Sequence, residues 1–167
     1  MTYFEMFDIP VQLAVDTAPL ARKFFELSRL HHPDYFANDS EEKQAAALEQ
    51  SALLNKAWKT FQQPDETIRY VLMQKGILQE EEKYELSPFF LAEVLELNEA
   101  LMDADEPGAA ASLAGRIEEL RLESYAPVKE IIEHYQDGIT TEKELLQVKE
   151  YYFRKKYLDR MKRQLAL

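Results

Sequence analysis

The sequence contains no cysteine and only 4 glycines among its 167 residues. The lack of cysteine excludes disulfide bonds, thiolate metal ligands and cysteine nucleophiles. Glycine-rich phosphate-binding loops are also absent, and runs of β-branched residues are scarce, which argues against a sheet protein. No apolar run reaches the roughly 20 residues of a membrane span, and the N-terminus lacks the pattern of a signal peptide. We therefore expect a cytoplasmic protein.

The net charge of −11 argues against non-specific binding to nucleic acid. Residues 1–76 carry 8 basic and 11 acidic side chains, whereas residues 77–167 carry 12 and 20. Residues 80–106 hold ten acidic side chains against one lysine, and residues 154–167 hold six basic side chains against one acidic. An uneven distribution of charge of this kind usually reflects helix faces that are exposed to water.

Apolar periodicity predicts four helices before residue 77. The second has apolar positions at i, i+4, i+7 and i+11 from Leu20 and stops at Pro33, because the residue before a proline is disfavoured in a helix. The third is expected to begin near Asp39 and to pack antiparallel on the second through an apolar seam over 47–61. A short helix over 64–76 follows, between a proline and a glycine.

The composition changes after Gly76, and we predict a charged linker over 77–86. Three further helices are expected over 87–167, the first capped by Ser87 and the last by Thr141, with a break at Pro127. The predicted fold is all-α: an N-terminal domain over 1–76, with an antiparallel helical hairpin and two short helices, and a C-terminal three-helix bundle.

The stretch "LHHPDYF" (30–36) contains residue types found in metal and acid–base sites. Adjacent histidines on a helix point about 100° apart, however, whereas helical zinc pairs need i, i+4 spacing. No glycine-flanked serine indicates a nucleophile elbow, and the many carboxylates lie on water-facing helices that would not tune them for proton transfer. We therefore predict no enzymatic activity, no metal site and no cofactor.

The tripeptide His32-Pro33-Asp34 predicts a shaped turn between two antiparallel helices. Asp34 would be exposed at the tip of this hairpin. A flank of basic residues from the preceding helix, Arg22, Lys23 and Arg29, would adjoin it. A fixed carboxylate beside a cationic stripe is typical of a docking surface rather than of a catalytic one.

In this setting the tripeptide resembles the signature of a J domain, the module that docks on DnaK-type ATPase chaperones. The segments "YFEMFDIP", "HPDYF" and "QSALLNKAW" resemble the HscB-type J-domain co-chaperones of iron–sulfur cluster biogenesis, and "FFLAEVLELNEAL" (89–101) resembles the start of their C-terminal domain. The resemblance covers nearly the whole chain. No Gly/Phe-rich or zinc-finger region follows residue 76, which distinguishes the sequence from the general DnaJ type.

The resemblance implies a co-chaperone that stimulates a DnaK/HscA-type ATPase and delivers the iron–sulfur scaffold protein IscU. It assigns chaperone binding to six residues, His32, Pro33, Asp34, Arg22, Lys23 and Arg29. It assigns scaffold binding to six others, Leu91, Leu95, Glu96, Glu99, Asp103 and Phe153. The alternative hypothesis is a J-domain helical adaptor that recruits an unrelated client protein to a DnaK-type chaperone.

Four positions depart from the family pattern. His31 stands where tyrosine usually precedes the tripeptide, and Tyr35 stands where lysine often follows it. The arginine expected near Thr67 is missing, although Arg69 is close by, and Ala92 replaces a larger apolar residue. We expect His31 to be a partly buried aromatic on the apolar face, and we expect Ala92 to lower the affinity for the scaffold.

Overall fold

A computed structural model describes residues 1–103 and 107–165, and these residues form helices and connecting turns without any strand. The α-helices are α1 (Tyr3–Met6), α2 (Ala18–Leu30), α3 (Glu41–Phe61), α4 (Pro64–Gln74), α5 (Pro88–Met102), α6 (Ala109–Tyr125), α7 (Lys129–Glu133) and α8 (Glu142–Leu165). The predicted all-α fold is confirmed. Among the helices described, none combines the length and apolarity needed to cross a bilayer.

The chain divides into two compact units, Met1–Val71 and Leu72–Leu167. The division falls within α4, a few residues before the glycine at which we placed the end of the first domain. Each unit has its own set of buried apolar side chains.

The core of the first unit is built on aromatic side chains. The buried ring of Phe61 lies 5.2 Å from that of Phe4 and 5.3 Å from that of Phe7, which fastens α1 to α3. Trp58 stacks on Phe24 at 5.0 Å and holds α2 against α3. Aromatic pairs of this geometry stabilise a core beyond the area they bury, by roughly 0.5–1.5 kcal/mol each. The predicted seam along α3 is confirmed, and it positions the α2–α3 hairpin.

Thr67, near which the family pattern would place an arginine, is fully buried in the first unit. Its hydroxyl oxygen lies 3.0 Å from the carbonyl oxygen of Thr60 and 3.2 Å from that of Gln63. Tyr3 closes the same end of the unit, since its ring stacks on Tyr70 at 4.2 Å and its N–H donates to the Tyr70 hydroxyl. A guanidinium at position 67 would therefore have neither space nor solvent.

Most of the helix caps lie at the residues that the sequence predicted. Ser87 and Thr141 cap α5 and α8 as predicted, and Thr141 forms the reciprocal capping box with Glu144. The prediction for α3 was wrong by one residue, since Ser40 rather than Asp39 accepts the hydrogen bond from Lys43 N–H. Both residue types favour the N-cap, so their order alone does not decide between them.

In the second unit α6 packs against both α5 and α8. Eight buried side chains form a core between these helices: Phe90, Val94, Leu97, Leu113, Ile117, Leu120, Leu158 and Met161. The predicted break at Pro127 is confirmed as a 3₁₀ turn, Ala126–Val128, which separates α6 from the short α7. Because α5 buries only one side, its opposite side faces solvent.

Residues 77–87, which we name the strap, pack along α8 rather than forming a free connection. Lys149 of α8 donates to the carbonyl oxygen of Ile77 at 2.8 Å, and its ammonium lies 2.6 Å from the carboxylate of Glu82. The strap ends where Ser87 caps α5, and Arg154 of α8 donates to the Ser87 hydroxyl at 2.9 Å. The segment predicted as a linker thus belongs to the packed structure of the second unit.

Candidate functional site

The tripeptide forms an ordered turn that carries an exposed carboxylate. His32 has extended backbone angles (φ −65°, ψ 130°) and leads into a 3₁₀ turn, Pro33–Phe36. The His32 Nδ1 accepts a hydrogen bond from the Asp34 N–H at 3.3 Å, and the Asp34 carboxylate lies 3.5 Å from the same nitrogen. The Asp34 side chain is 89% exposed. The turn therefore points its acid outward, where a partner can reach it.

The basic residues of α2 are not equivalent. Arg22 and Arg29 are seven residues apart, two turns along the same side of the helix, and both are exposed. Arg22 lies 3.6 Å from Glu26, whereas Arg29 forms no ion pair with any residue that the structure describes. Lys23 lies about 100° around the helix from Arg22 and reaches to within 4.0 Å of Asp8. Arg29 is thus the cation most available beside the turn.

An open groove of about 480 Å³ brings the turn and the helix together. Arg29, His32 and Asp34 all line it, so three of the six predicted chaperone-binding residues meet at one surface. Phe25 and Tyr35 line the same groove and were absent from the predicted set. Periodicity could have indicated Phe25, since it lies one turn before Arg29 on the polar side of α2, where a phenylalanine is unexpected.

Five of the six predicted scaffold-binding residues lie on the solvent side of α5: Leu91, Leu95, Glu96, Glu99 and Asp103. Phe89, which we did not predict, is 86% exposed. It lies seven residues before Glu96 and three before Ala92, on the same side of the helix. The exposed side of α5 therefore combines leucines and acids with an aromatic ring at its N-terminal end.

Phe153, the sixth predicted residue, lies on α8 and is half-buried beneath the strap. Tyr84 stacks on it with ring centroids 4.5 Å apart and planes 6° from parallel, and Tyr152 meets it edge-on at 5.1 Å. Burial, and next a hydrogen bond to Glu150, raise the pKa of Tyr84. The surface at this point is therefore a Tyr84–Phe153 pair rather than a bare phenylalanine. No local sequence pattern connects two residues so far apart in the chain.

Glu150 ties the strap to α8 on the other side of Tyr84. Burial alone would raise the pKa of its carboxyl group, but hydrogen bonds from Tyr84, the Ser87 N–H and Arg154 outweigh burial and lower it. The carboxylate accepts from the Ser87 N–H at 3.2 Å and from Arg154 Nε at 3.1 Å. It is held as a charged acceptor in a structural network, which is not the environment of a proton donor.

One group of exposed side chains could surround a cation. Ligand atoms of Glu130, Glu133 and His134 lie within 4.8 Å of one another. His134 Nδ1 lies 3.1 Å from the Glu130 carboxylate, and this i, i+4 contact is sufficient to explain why the residues are close. No metal role is assigned to them.

The chain is similar in sequence and in structure to known proteins. The sequence model of the family described as "HSCB C-terminal oligomerisation domain" matches residues 86–166. The structure is similar to that of the human co-chaperone protein HscB, with a TM-score of 0.80 and 27% sequence identity over 99% of this chain and 81% of the human chain. It is also similar to the chaperone HscB from Vibrio cholerae, with a TM-score of 0.75 and 26% identity over 99% of this chain and 96% of that one. Together with the exposed His32-Pro33-Asp34 turn, these similarities support an HscB-type J-domain co-chaperone.

Proposed function

We propose that this protein stimulates ATP hydrolysis by a DnaK/HscA-type chaperone and brings an IscU-type iron–sulfur scaffold protein to it. Residues 1–76 would act as the J domain and residues 87–167 as the scaffold-binding domain, and residues 77–86 would join them while packed on α8. The observation that carries the proposal is the exposed carboxylate of Asp34 on the same groove as the exposed guanidinium of Arg29.

The turn would act by binding and not by chemistry. Asp34 would pair with a cation of the chaperone, a charge-assisted contact of roughly 1.5–3 kcal/mol when it is shielded from water. Arg22 and Arg29 would attract an acidic surface, so association should slow as salt concentration rises. Stimulation then requires that the chaperone conformation competent for hydrolysis bind the turn more tightly than the other conformations do.

The exposed side of α5 supports the second half of the proposal. Leu91 and Leu95 offer apolar area, and Glu96 and Glu99 lie next to them along the helix. A scaffold surface with apolar side chains flanked by basic ones would be complementary to this pattern. Phe89 supplies apolar surface close to Ala92, where the family tends to carry a larger residue. The Tyr84–Phe153 pair on α8 would contribute a further aromatic contact.

The rate of ATP hydrolysis by purified candidate chaperones tests the proposed stimulation. We expect this protein to raise the steady-state rate and the scaffold to raise it further. Asp34→Asn should remove the stimulation and leave the circular dichroism spectrum unchanged, because the side chain is 89% exposed and its carboxylate lies next to His32 of its own turn. Stimulation that survives Asp34→Asn would contradict the docking role.

Titration calorimetry with the scaffold protein tests the proposed scaffold binding. The double change Leu95→Ala and Phe153→Ala should weaken scaffold binding, whereas stimulation of the chaperone in the absence of scaffold should persist. Leu122→Ala is the matched control, since Leu122 is an exposed leucine on α6 of the same unit. Equal scaffold affinity for the double variant and the wild type would remove this assignment.

A further inference from the structure

Three large apolar side chains surround Arg29 and remain in water. Phe25 is 64% exposed, Leu30 is 65% exposed and Tyr35 is 66% exposed. We name these three residues the apolar rim. Single exposed hydrophobic residues are common on protein surfaces, but a contiguous group of them usually marks an interaction site.

The rim lies along two open grooves that share Arg29 and Tyr35. The first, of about 480 Å³, includes Phe25 and continues to Asp34. The second, of about 360 Å³, includes Leu30 and Glu26. The Tyr35 ring lies edge-on to the His32 ring with centroids 6.4 Å apart, so the rim is continuous with the turn.

Ion pairs alone would give this surface only weak affinity for a partner. Exposed ion pairs contribute little to affinity, and their main effect is on the rate of encounter. Aromatic residues and arginines that become desolvated in the centre of an interface carry most of its binding energy. Arg29 together with the two aromatic rings and the leucine that line its grooves has that composition.

We propose that the apolar rim supplies most of the affinity of this protein for its chaperone and selects among DnaK-type paralogues. The inference rests on the proposed function, because the rim and the Asp34 turn form one surface. The partner it fits has an apolar side chain next to a carboxylate, the first to enter a groove and the second to meet Arg29. The net charge of −11 opposes a second copy of this chain as the occupant. The exposed cation of Arg29 favours a partner that presents a carboxylate at this point.

The test measures the protein concentration that gives half-maximal stimulation of the chaperone ATPase, at low and at high salt. For the double variant Phe25→Ser and Tyr35→Ser we expect this concentration to rise about tenfold or more, since central aromatic residues dominate interfaces. Maximal stimulation should be kept because Asp34 is intact. The difference from wild type should persist at high salt, which weakens charge pairs but not apolar contacts. Leu48→Ser is the matched control, a 62% exposed leucine on α3 that lines neither groove.

The outcomes separate the two proposals. If the wild type stimulates, Asp34→Asn abolishes the effect and the rim variant behaves as wild type, the rim inference is refuted and the proposed function stands. If the wild type stimulates none of the chaperones tested, both are refuted. Sedimentation of the wild type as a dimer and of the rim variant as a monomer would instead make the rim a self-association surface and overturn the inference.

Discussion

Lys149 is the residue on which attachment of the strap to α8 most depends, and we predict that Lys149→Met destabilises the second unit. The ammonium donates to the Ile77 carbonyl oxygen at 2.8 Å and lies 2.6 Å from the Glu82 carboxylate. It also lies 5.5 Å from the centre of the Tyr84 ring. The side chains of the ion pair are only 12% and 21% exposed, so water cannot fully replace the lost contacts.

The magnitude follows from what Lys149→Met leaves behind. The part-buried Ile77 carbonyl loses its lysine donor. An unsatisfied buried acceptor costs about 1–3 kcal/mol, and partial access to water places this one at about 1–2 kcal/mol. Breaking a fully buried ion pair on one side costs about 3–5 kcal/mol. Glu82 keeps some solvent and accepts from the Gln79 N–H, so the loss of this pair should cost only about 1 kcal/mol, close to the value of an exposed pair. We expect a total of about 2–3 kcal/mol for Lys149→Met. Glu82→Gln should cost only about 1 kcal/mol, because Lys149 keeps its bond to Ile77.

The assay is urea denaturation followed by far-ultraviolet circular dichroism, which gives the free energy of unfolding of each variant. Lys143→Met serves as the control, since Lys143 is an exposed lysine on the same helix and its loss should change stability by no more than about 0.5 kcal/mol. If Lys149→Met were as mild as this control, the interpretation of the strap as part of the packed unit would be wrong.

The same pair predicts a dependence on pH. The hydrogen bond from Lys149 lowers the pKa of Glu82 below its ordinary value of 4.5. The unfolded chain therefore takes up a proton at this carboxyl group at higher pH than the folded chain does. The stabilisation is full above pH 4.5 and is lost as the pH falls through the folded-state pKa. The stability difference between wild type and Glu82→Gln should accordingly shrink as the pH is lowered from neutrality, and a difference that grew would contradict this.

Three further predictions concern the core and the α5 surface. Phe61→Ala should lower the free energy of unfolding by about 3–5 kcal/mol, because it removes a ring at the centre of the first unit. The urea midpoint measured by Trp58 fluorescence should fall accordingly, and an unchanged midpoint would contradict this packing. Thr67→Arg, which restores a residue type expected near this position, should destabilise the same transition, since it buries a charge without a partner; a neutral effect would show that the site can open. Phe89→Ser should weaken scaffold binding about tenfold in calorimetry, whereas Leu122→Ser should not, and equal affinities would exclude Phe89 from the interface.

Local sequence signals predicted the parts of the fold that local forces determine. The caps at Ser87 and Thr141 depend on residues three positions apart, and the break at Pro127 depends on one missing N–H. The apolar seam of α3 follows from its spacing along one helix. These features could be predicted because each is settled within a few residues of the chain.

The contacts of the strap could not be predicted in this way. Glu82 meets Lys149, and Tyr84 meets Phe153, only because the chain returns along α8 many residues later. Sequence patterns of a few residues contain no information on such pairings. For the same reason the sequence indicated Phe153 as an aromatic site residue but gave no sign that another aromatic covers it.

The α2 surface shows a different limit. Periodicity assigned Phe24 to the apolar face of α2 and Arg29 to the other face. Phe24 is half-buried against Trp58 and Arg29 is exposed, in agreement with that assignment. It did not explain Phe25, an aromatic residue left in water next to Arg29. A hydrophobic residue on a polar face lowers the solubility of a monomer without adding to its core, so its presence is better understood from binding than from folding.

The hydrogen bond within the His32 turn also determines what a partner encounters there. With Nδ1 accepting from the Asp34 N–H, a neutral imidazole in this geometry would carry its proton on Nε2. The tip thus offers an N–H donor and a carboxylate acceptor side by side. A uniformly acidic surface would satisfy the imidazole and repel the aspartate, whereas a surface with a cation set among acids would satisfy both. The turn can in this way reject a partner that has the right net charge but the wrong arrangement of charges.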